Sequence, residues 1–321
     1  MQRHFRLGEG VSPRNTRLRG QSIIEYVLIA AVIGLVIVFA GPQVSGAIRN
    51  QFNQVTNTVD SGTDGGNFMS AEEKAYQEAM KTIANKDAKD WTLDEQKAAA
   101  TDIAKNGTSS VVYAKAEAAM DAGITWSIKL SNGKMMTYRI IGINHDDLAD
   151  GSGKAGLTFE ATNGAIGCHQ MNTLNTNAGG WEQSELRQKM NSGEIWKLMP
   201  PDLQSKVKAV TKLTNNVGGG EDKVIVTATS DGLFLLSSTE IWGDTNQEGI
   251  QYEYYSGKGV TSKNYSGAAT GFTHSTRSLE KYNSTSYRIV GSKGTDNYYS
   301  WGNSSSGYAT TSWDVLPAFC F

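Results

Sequence analysis

The sequence predicts an α+β protein in three parts. The first observation is an almost uninterrupted apolar run near the N-terminus, Ile23 to Ala40. The second is a set of Ala-rich segments with helical spacing between Ser70 and Ala122. The third is a change of period at Thr125, where helical spacing gives way to alternation of apolar and polar residues. The predicted divisions are 1–20, a basic leader; 21–60, a long apolar helix; 61–124, a linker and helical spacer; and 125–321, a distal domain large enough for its own core.

The leader carries Arg3, Arg6, Arg14, Arg17 and Arg19 directly before the apolar run, the arrangement of a topogenic segment. Ile23 to Ala40 is about 18 residues long, enough to insert in a bilayer as a helix. It contains one charge, Glu25. A carboxylate in an apolar helix costs about 2.5–3.5 kcal/mol near the membrane centre, so its presence points to a role. Beyond the run, Val44, Ile48, Phe52, Val55 and Val59 recur at helical spacing on one face. A helix from Ser22 to Val59 would extend about 57 Å, longer than a membrane requires.

Gly20-Gln21-Ser22-Ile23-Ile24-Glu25-Tyr26 resembles the processing motif of Flp-type (type IVb) pilins. The resemblance covers roughly the first 60 residues. It implies cleavage after Gly20 by a prepilin peptidase and pairing of Glu25 with the new amine of Gln21 in a neighbouring subunit, and Tyr26 matches the tyrosine that follows the glutamate in that family. Two charges in a helical bundle are tolerable when paired. The implied partners are other pilin subunits, the prepilin peptidase and the assembly machinery. The implied location is the cytoplasmic membrane through the N-terminal helix, then the extracellular pilus or cell surface. Flp-type pilins mostly end near this point, whereas this chain continues.

In the spacer, Ser70 with Glu73 and Thr92 with Glu95 form capping-box patterns, and Asn106-Gly107 and Ala122-Gly123 mark helix stops. The helices have little large apolar surface and read as a spacer packed on the long helix or on the distal domain. From Thr125, Trp126, Ile128 and Leu130 alternate with polar residues, and Asn132-Gly133 supplies a hairpin turn into Met136, Tyr138 and Ile140. Further strands are predicted at Leu157–Ala161, Val224–Thr229, Leu233–Leu236, Tyr287–Val290 and Val315–Phe319. Helices are predicted at Ser184–Met190 and Asp202–Lys208.

Gly180-Trp181, Ser184-Glu185-Leu186-Arg187, Met190-Asn191, Ile195-Trp196 and Glu240-Ile241, with the closing Pro317-Ala318-Phe319, resemble a bacterial surface domain of C-type-lectin-like fold. That domain is related in architecture to formylglycine-generating enzymes. The resemblance implies a ligand-binding C-terminal domain over 125–321. The usual closing arginine is absent.

The net charge of −2 over 321 residues gives no ground for a nucleic-acid partner. No HExxH, Walker-type loop or GxSxG elbow occurs, so no cofactor and no metal are expected, and the chain is read as a non-enzyme. Asp146, Asp150 and Gly151 imitate the opening of a calcium loop, but Leu148 stands at its third position and Leu157 where its final glutamate is required, so Asp146, Asp147 and Asp150 read as an acidic turn ahead of a looser cation site. Cys168 and Cys320 are either two buried thiols or, outside the cell, one disulfide. Cys168 and His169, as neighbours on a strand, point to opposite faces.

The window from Asn283 to Trp313 is nearly free of aliphatic residues and rich in Tyr, Asn, Ser, Thr and Gly. Tyr and Trp give large rigid contact area, and the small polar residues adapt to a partner. The expected ligand surface is Tyr287, Asp296, Asn297, Tyr298, Tyr299, Trp301, Asn303, Ser304, Tyr308, Thr310, Thr311 and Trp313, facing an unidentified protein or glycan. In this position the window resembles the variable region of proteins diversified by retroelements. Two functions follow from these resemblances: a pilus-associated surface adhesin, or a membrane-anchored enzyme of the formylglycine-generating or cell-wall-modifying kind.

Overall fold

The computed structural model describes residues 71–221, 224–292 and 302–321. The chain divides into two compact units, Met1–Gly66 and Asn67–Phe321. The expectations for the leader and the long apolar helix lie outside the described residues. Among the described residues no helix is long and apolar enough to cross a membrane.

Three helices open the second unit: α1 Ala71–Ile83, α2 Leu93–Asn106 and α3 Tyr113–Asp121. The start of α2 is fixed by the predicted capping box. Thr92 Oγ1 accepts the Glu95 N–H at 3.3 Å, and the Glu95 carboxylate accepts the Thr92 N–H at 2.7 Å. The small side chains of Ala98, Ala99 and Ala100, all buried, let this helix approach the sheets closely. At the closest point Gly156 lies against the Ala100 carbonyl, where any Cβ would collide. Ala99, Ile103, Val112, Ala116 and Met120 enter the same core as Tyr138, Ile140 and Phe159. The Tyr138 hydroxyl donates to Gln96 Oε1 at 3.1 Å, and Trp126 Nε1–H donates to the Ala88 carbonyl at 3.1 Å. The Ala-rich helices are therefore packed onto the β-rich part.

The strands are β1 Thr125–Lys129, β2 Met135–Ile143, β3 Leu157–Ala161, β4 Cys168–His169, β5 Val210–Asn215, β6 Val226–Asp231, β7 Leu233–Phe234, β8 His274–Leu279, β9 Ser286–Val290, β10 Ser304–Tyr308, β11 Trp313–Asp314 and β12 Ala318–Cys320. Between them lie short helices, α4 Gly180–Gln183, α5 Glu185–Asn191, α6 Glu194–Leu198, α7 Pro201–Gln204, α8 Ser238–Trp242 and α9 Glu253–Gly257. The architecture is α+β. One sheet has the order β1-β2-β3-β12-β7, with every pairing antiparallel. A second has the order β10-β9-β8-β11-β4, and β5-β6 form a separate ribbon. The turn at Asn132-Gly133 is formed, with Gly133 at φ +85°. Phe159 stacks on Phe319 at 5.4 Å between centroids, with Tyr138 and Phe321 edge-on or tilted around them.

Several predicted strands are displaced. The expected Val315–Phe319 strand is split between the two sheets: Trp313–Asp314 joins one, Ala318–Cys320 the other. Pro317, which has no N–H to give a ladder, stands at the crossing. Strand β6 begins at Val226 and ends at Asp231, later than expected. The helix expected to reach Lys208 stops at Gln204, after a start set by Pro201. Strand β8 was not predicted. His274-Ser275-Thr276-Arg277-Ser278-Leu279 is fully buried yet mostly polar, so apolar alternation cannot reveal it.

Cys168 and Cys320 are not a disulfide. Both are free; Cys168 is exposed on an edge strand of the second sheet and Cys320 is buried in the first.

Candidate functional site

The site is built on the pairing of β9 with edge strand β10. Ser306 lies opposite Arg288, Gly307 opposite Tyr287 and Tyr308 opposite Ser286. Directly opposed residues share a face and successive residues alternate. Arg288, Ser304, Ser306 and Tyr308 therefore share one face, and Tyr287 and Ile289 share the other with Ser305 and Gly307. Trp313 packs on that second face, where a Cβ on Gly307 would collide with its indole nitrogen.

On the Arg288 face, a groove is lined by Trp242, Asp244, Ser262, Tyr265, Arg288, Asn303 and Ser304. Trp242, at the end of α8, donates its Nε1–H to the Gly302 carbonyl at 2.9 Å and pins the start of β10. Gly302, at φ +69°, lies so close to the Tyr265 carbonyl that no side chain would fit. Gly243 ends α8 in the left-handed region at φ +65° and turns the chain to Asp244. Asp244 is held rigidly: Oδ1 accepts from Thr239 Oγ1 at 2.7 Å and from the Asn246 N–H at 3.1 Å. Its Oδ2 accepts from Arg288 Nη1 at 3.2 Å, and Arg288 Nε points to Glu280 at 3.4 Å. The guanidinium is thus fixed between two carboxylates, with about a quarter of its side chain (27%) open to solvent. Asn303 Oδ1 and Ser304 Oγ are buried and have no hydrogen-bond partner among the described residues. A buried oxygen without a donor costs about 1–3 kcal/mol, which a bound donor group would recover. The groove is therefore lined by a fixed ion pair, Ser262 and Tyr265, with two oxygens in need of donors buried in its wall.

Of the expected ligand surface, Asn303 and Ser304 line this groove and Tyr308 is 59% exposed along the same strand face. Thr310 and Thr311 are half-buried in the turn that follows. Tyr287 is a correction. It is 2% exposed because it alternates into the core, where its hydroxyl donates to the Gly180 carbonyl at 3.2 Å. Trp313 is half-buried on that opposite face. Asp296, Asn297, Tyr298, Tyr299 and Trp301 lie outside the described residues, as do Gly20, Gln21, Glu25 and Tyr26. Asp244, Tyr265 and Ser262 were missed. They come from loops far upstream in the chain, and only Arg288, inside the aromatic-rich window, was within reach of a composition argument.

Residues 158–321, a little over half of the chain, match the family described as a domain of unknown function, DUF6273. The chain belongs to the DUF6273 family. The DUF6273 match begins at the second residue of β3, so β1, β2 and the three opening helices complete its first sheet and core from outside the matched segment. Residues 19–59 match the Flp/Fap pilin component family, and the N-terminal segment is pilin-like. Searches of the curated proteins and of the solved structures return no match.

The cysteines stand apart from the groove. Burial, then the neighbouring Asp314, push the Cys168 thiol up from its ordinary value, which disfavours the nucleophilic thiolate. Burial, then Asp146, does the same to Cys320. Among the described residues no group of three His, Cys, Asp or Glu side chains is placed to hold a metal ion. Asp146 is turned into the core and paired with Lys212, and Asp147 pairs with Lys154 at 3.0 Å.

Proposed function

We propose that this DUF6273 protein is a pilus-associated surface adhesin. A prepilin peptidase cuts after Gly20, and Glu25 pairs with the Gln21 amine of a neighbouring subunit. The helix holds the protein first in the cytoplasmic membrane and then in the pilus. The distal domain, C-type-lectin-like and hypervariable in its C-terminal window, binds a protein or glycan. The reading is non-enzymatic.

The observation that carries the binding function is the groove beside β10, where Asn303 Oδ1 and Ser304 Oγ lack donors next to a fixed Arg288–Asp244 pair. That chemistry suits a ligand rich in hydroxyl or amide groups. Its place supports the reading too: the pilin-like segment ends at residue 59 and a separate compact unit begins at Asn67. The enzyme alternative needs a reactive cysteine pair, and the two thiols occupy different sheets.

The test is adhesion of piliated cells to glycan and protein arrays. Tyr308→Ala and Asn303→Ala should each weaken retention about tenfold, the effect of one lost contact of ~1.4 kcal/mol, with pilus number unchanged. Equal retention by cells that lack only the distal unit would overturn the adhesin.

A further inference from the structure

A four-residue charge cluster in the core is not used by the groove. Lys212 on β5 is 2% exposed, Asp146 4%, Glu240 1% and Arg277 0%. Lys212 Nζ lies 2.6 Å from Asp146 Oδ1 and 2.6 Å from Glu240 Oε1, with the Phe234 ring 4.4 Å away. Asp146 Oδ2 accepts from Thr158 Oγ1 at 2.6 Å and from the Tyr252 hydroxyl at 2.9 Å. The backbones beside the pair are locked together, since the Thr211 N–H donates to the Asp147 carbonyl at 2.9 Å and Leu148 bridges Val210.

We propose that Lys212 and Asp146 condense without any other protein into an internal isopeptide bond, with Glu240 as the proton relay. The amine and the carboxylate carbon are presented to each other in a site closed to water. Such fixed placement is worth effective concentrations of about 10⁵–10⁸ M. The pair starts as a zwitterion. Burial opposes charge on both groups, but Asp146 holds the Lys212 ammonium up and Lys212 holds the Asp146 carboxyl down.

The reaction balances from there. Glu240 relays one proton from the ammonium to Asp146 Oδ1, which turns the carboxylate into a neutral, electrophilic acid, and the freed lone pair attacks Asp146 Cγ. Charge gathers on Oδ2, where Thr158 and Tyr252 donate hydrogen bonds, as an oxyanion requires. The Oδ1 hydroxyl, nearest the nitrogen, then receives a second proton directly from the nitrogen. It leaves as water as the carbonyl re-forms, and the amide keeps one hydrogen. No oxidant or activated donor is consumed.

The product suits the core better than the ions do. The new amide N–H faces Glu240, its carbonyl keeps the Thr158 and Tyr252 donors, and Glu240 stays paired with Arg277. Two buried charges become one neutral, fully hydrogen-bonded group, which removes their desolvation cost. The bond would join the segment after β2 to β5 across a sequence separation of 66 residues. A pull on the chain between them would then meet a covalent link. The inference does not depend on the ligand or on the adhesin reading.

Tryptic mapping of the full-length chain, purified from its expression host and unfolded before digestion, decides it. Residues 140–154 and 209–223 should appear as one branched peptide, one water lighter than their sum, with no cleavage after Lys212. Recovery of 140–154 alone, with cleavage after Lys212, would overturn the bond, and this needs no variant. Glu240→Gln should leave most of the chain unlinked, and Lys212→Arg all of it. Full linkage in Glu240→Gln would refute the relay.

Discussion

Arg277→Met is the most demanding test of the fold. Arg277 is fully buried on β8 and spends all of its donor capacity. Nε donates to Thr214 Oγ1 at 2.9 Å. Nη1 donates to the Leu235 carbonyl at 2.7 Å and to Glu240, and Nη2 donates to Glu240 Oε1 at 2.8 Å and to the carbonyls of Leu213 and Glu248 at 3.1 Å each. One side chain thus ties β8 to β5, to α8 and to the loop at Glu248. Methionine fills much of the space but takes a donor from each of those carbonyls and the guanidinium from Glu240, which keeps the Ser237 N–H. Breaking a buried pair in this way costs about 3–5 kcal/mol. For a unit of this size that is a fall in melting temperature of roughly 6–20 °C. Arg277→Lys should recover little, because an ammonium cannot reproduce the planar bidentate fork. Thermal unfolding of the three chains by circular dichroism measures it. A shift under about 2 °C for Arg277→Met, or wild-type stability for Arg277→Lys, would mean that the charge cluster does not hold the sheets together.

N-terminal sequencing of the exported protein should begin at Gln21, and Glu25→Ala should still insert in the membrane yet fail to enter filaments; normal incorporation would refute the pairing of Glu25 with a neighbouring amine. Cys168 should react with a maleimide in the native protein and Cys320 only after unfolding, while Cys168→Ser should change stability by less than about 0.5 kcal/mol. Tyr287→Phe should cost about 1 kcal/mol in denaturant unfolding, the value of its buried hydrogen bond, with adhesion unchanged. Burial alone would lower the His145 pKa, but the Glu253 carboxylate, 3.1 Å from its Nδ1, leads the groups that outweigh burial and raise the pKa above 6.5. The stabilisation from that imidazolium is complete below 6.5 and is lost as pH rises through the raised value. His145→Gln should therefore lose more melting temperature against wild type at about pH 5.5 than at about pH 8.5, and the opposite trend would contradict the assignment.

The parts of the fold that could be read from sequence are those where local chemistry and burial agree. Thr92 with Glu95, the Asn132-Gly133 turn and the alternating Trp126, Tyr138 and Ile140 each announce themselves within a few residues. What could not be read is the charged interior. Arg277, Glu240, Lys212 and Asp146 are scattered over the chain, and each alone reads as a surface residue. Only the arrangement of β5, α8, β8 and the Asp146 loop pairs them, and pairing is what makes their burial tolerable.

The ligand surface fails in sequence for a different reason. Composition locates a window but has no register. Tyr287 and Arg288 are neighbours, and a strand sends them to opposite faces, one into the core and one into the groove. Aromatic content favoured Tyr287 and Trp313, yet both fall on the face turned away from Tyr308. The groove residues were chosen instead by geometry: Asp244 by its lock on Thr239, Tyr265 by the close pass of Gly302. A diversified binding strand would follow the same rule, varying where side chains share the Arg288 face and staying fixed where they share the face of Tyr287. In such a strand Ser306 and Tyr308, both exposed, would be the positions of β10 free to change, and Gly307 would not, because any side chain there would collide with Trp313.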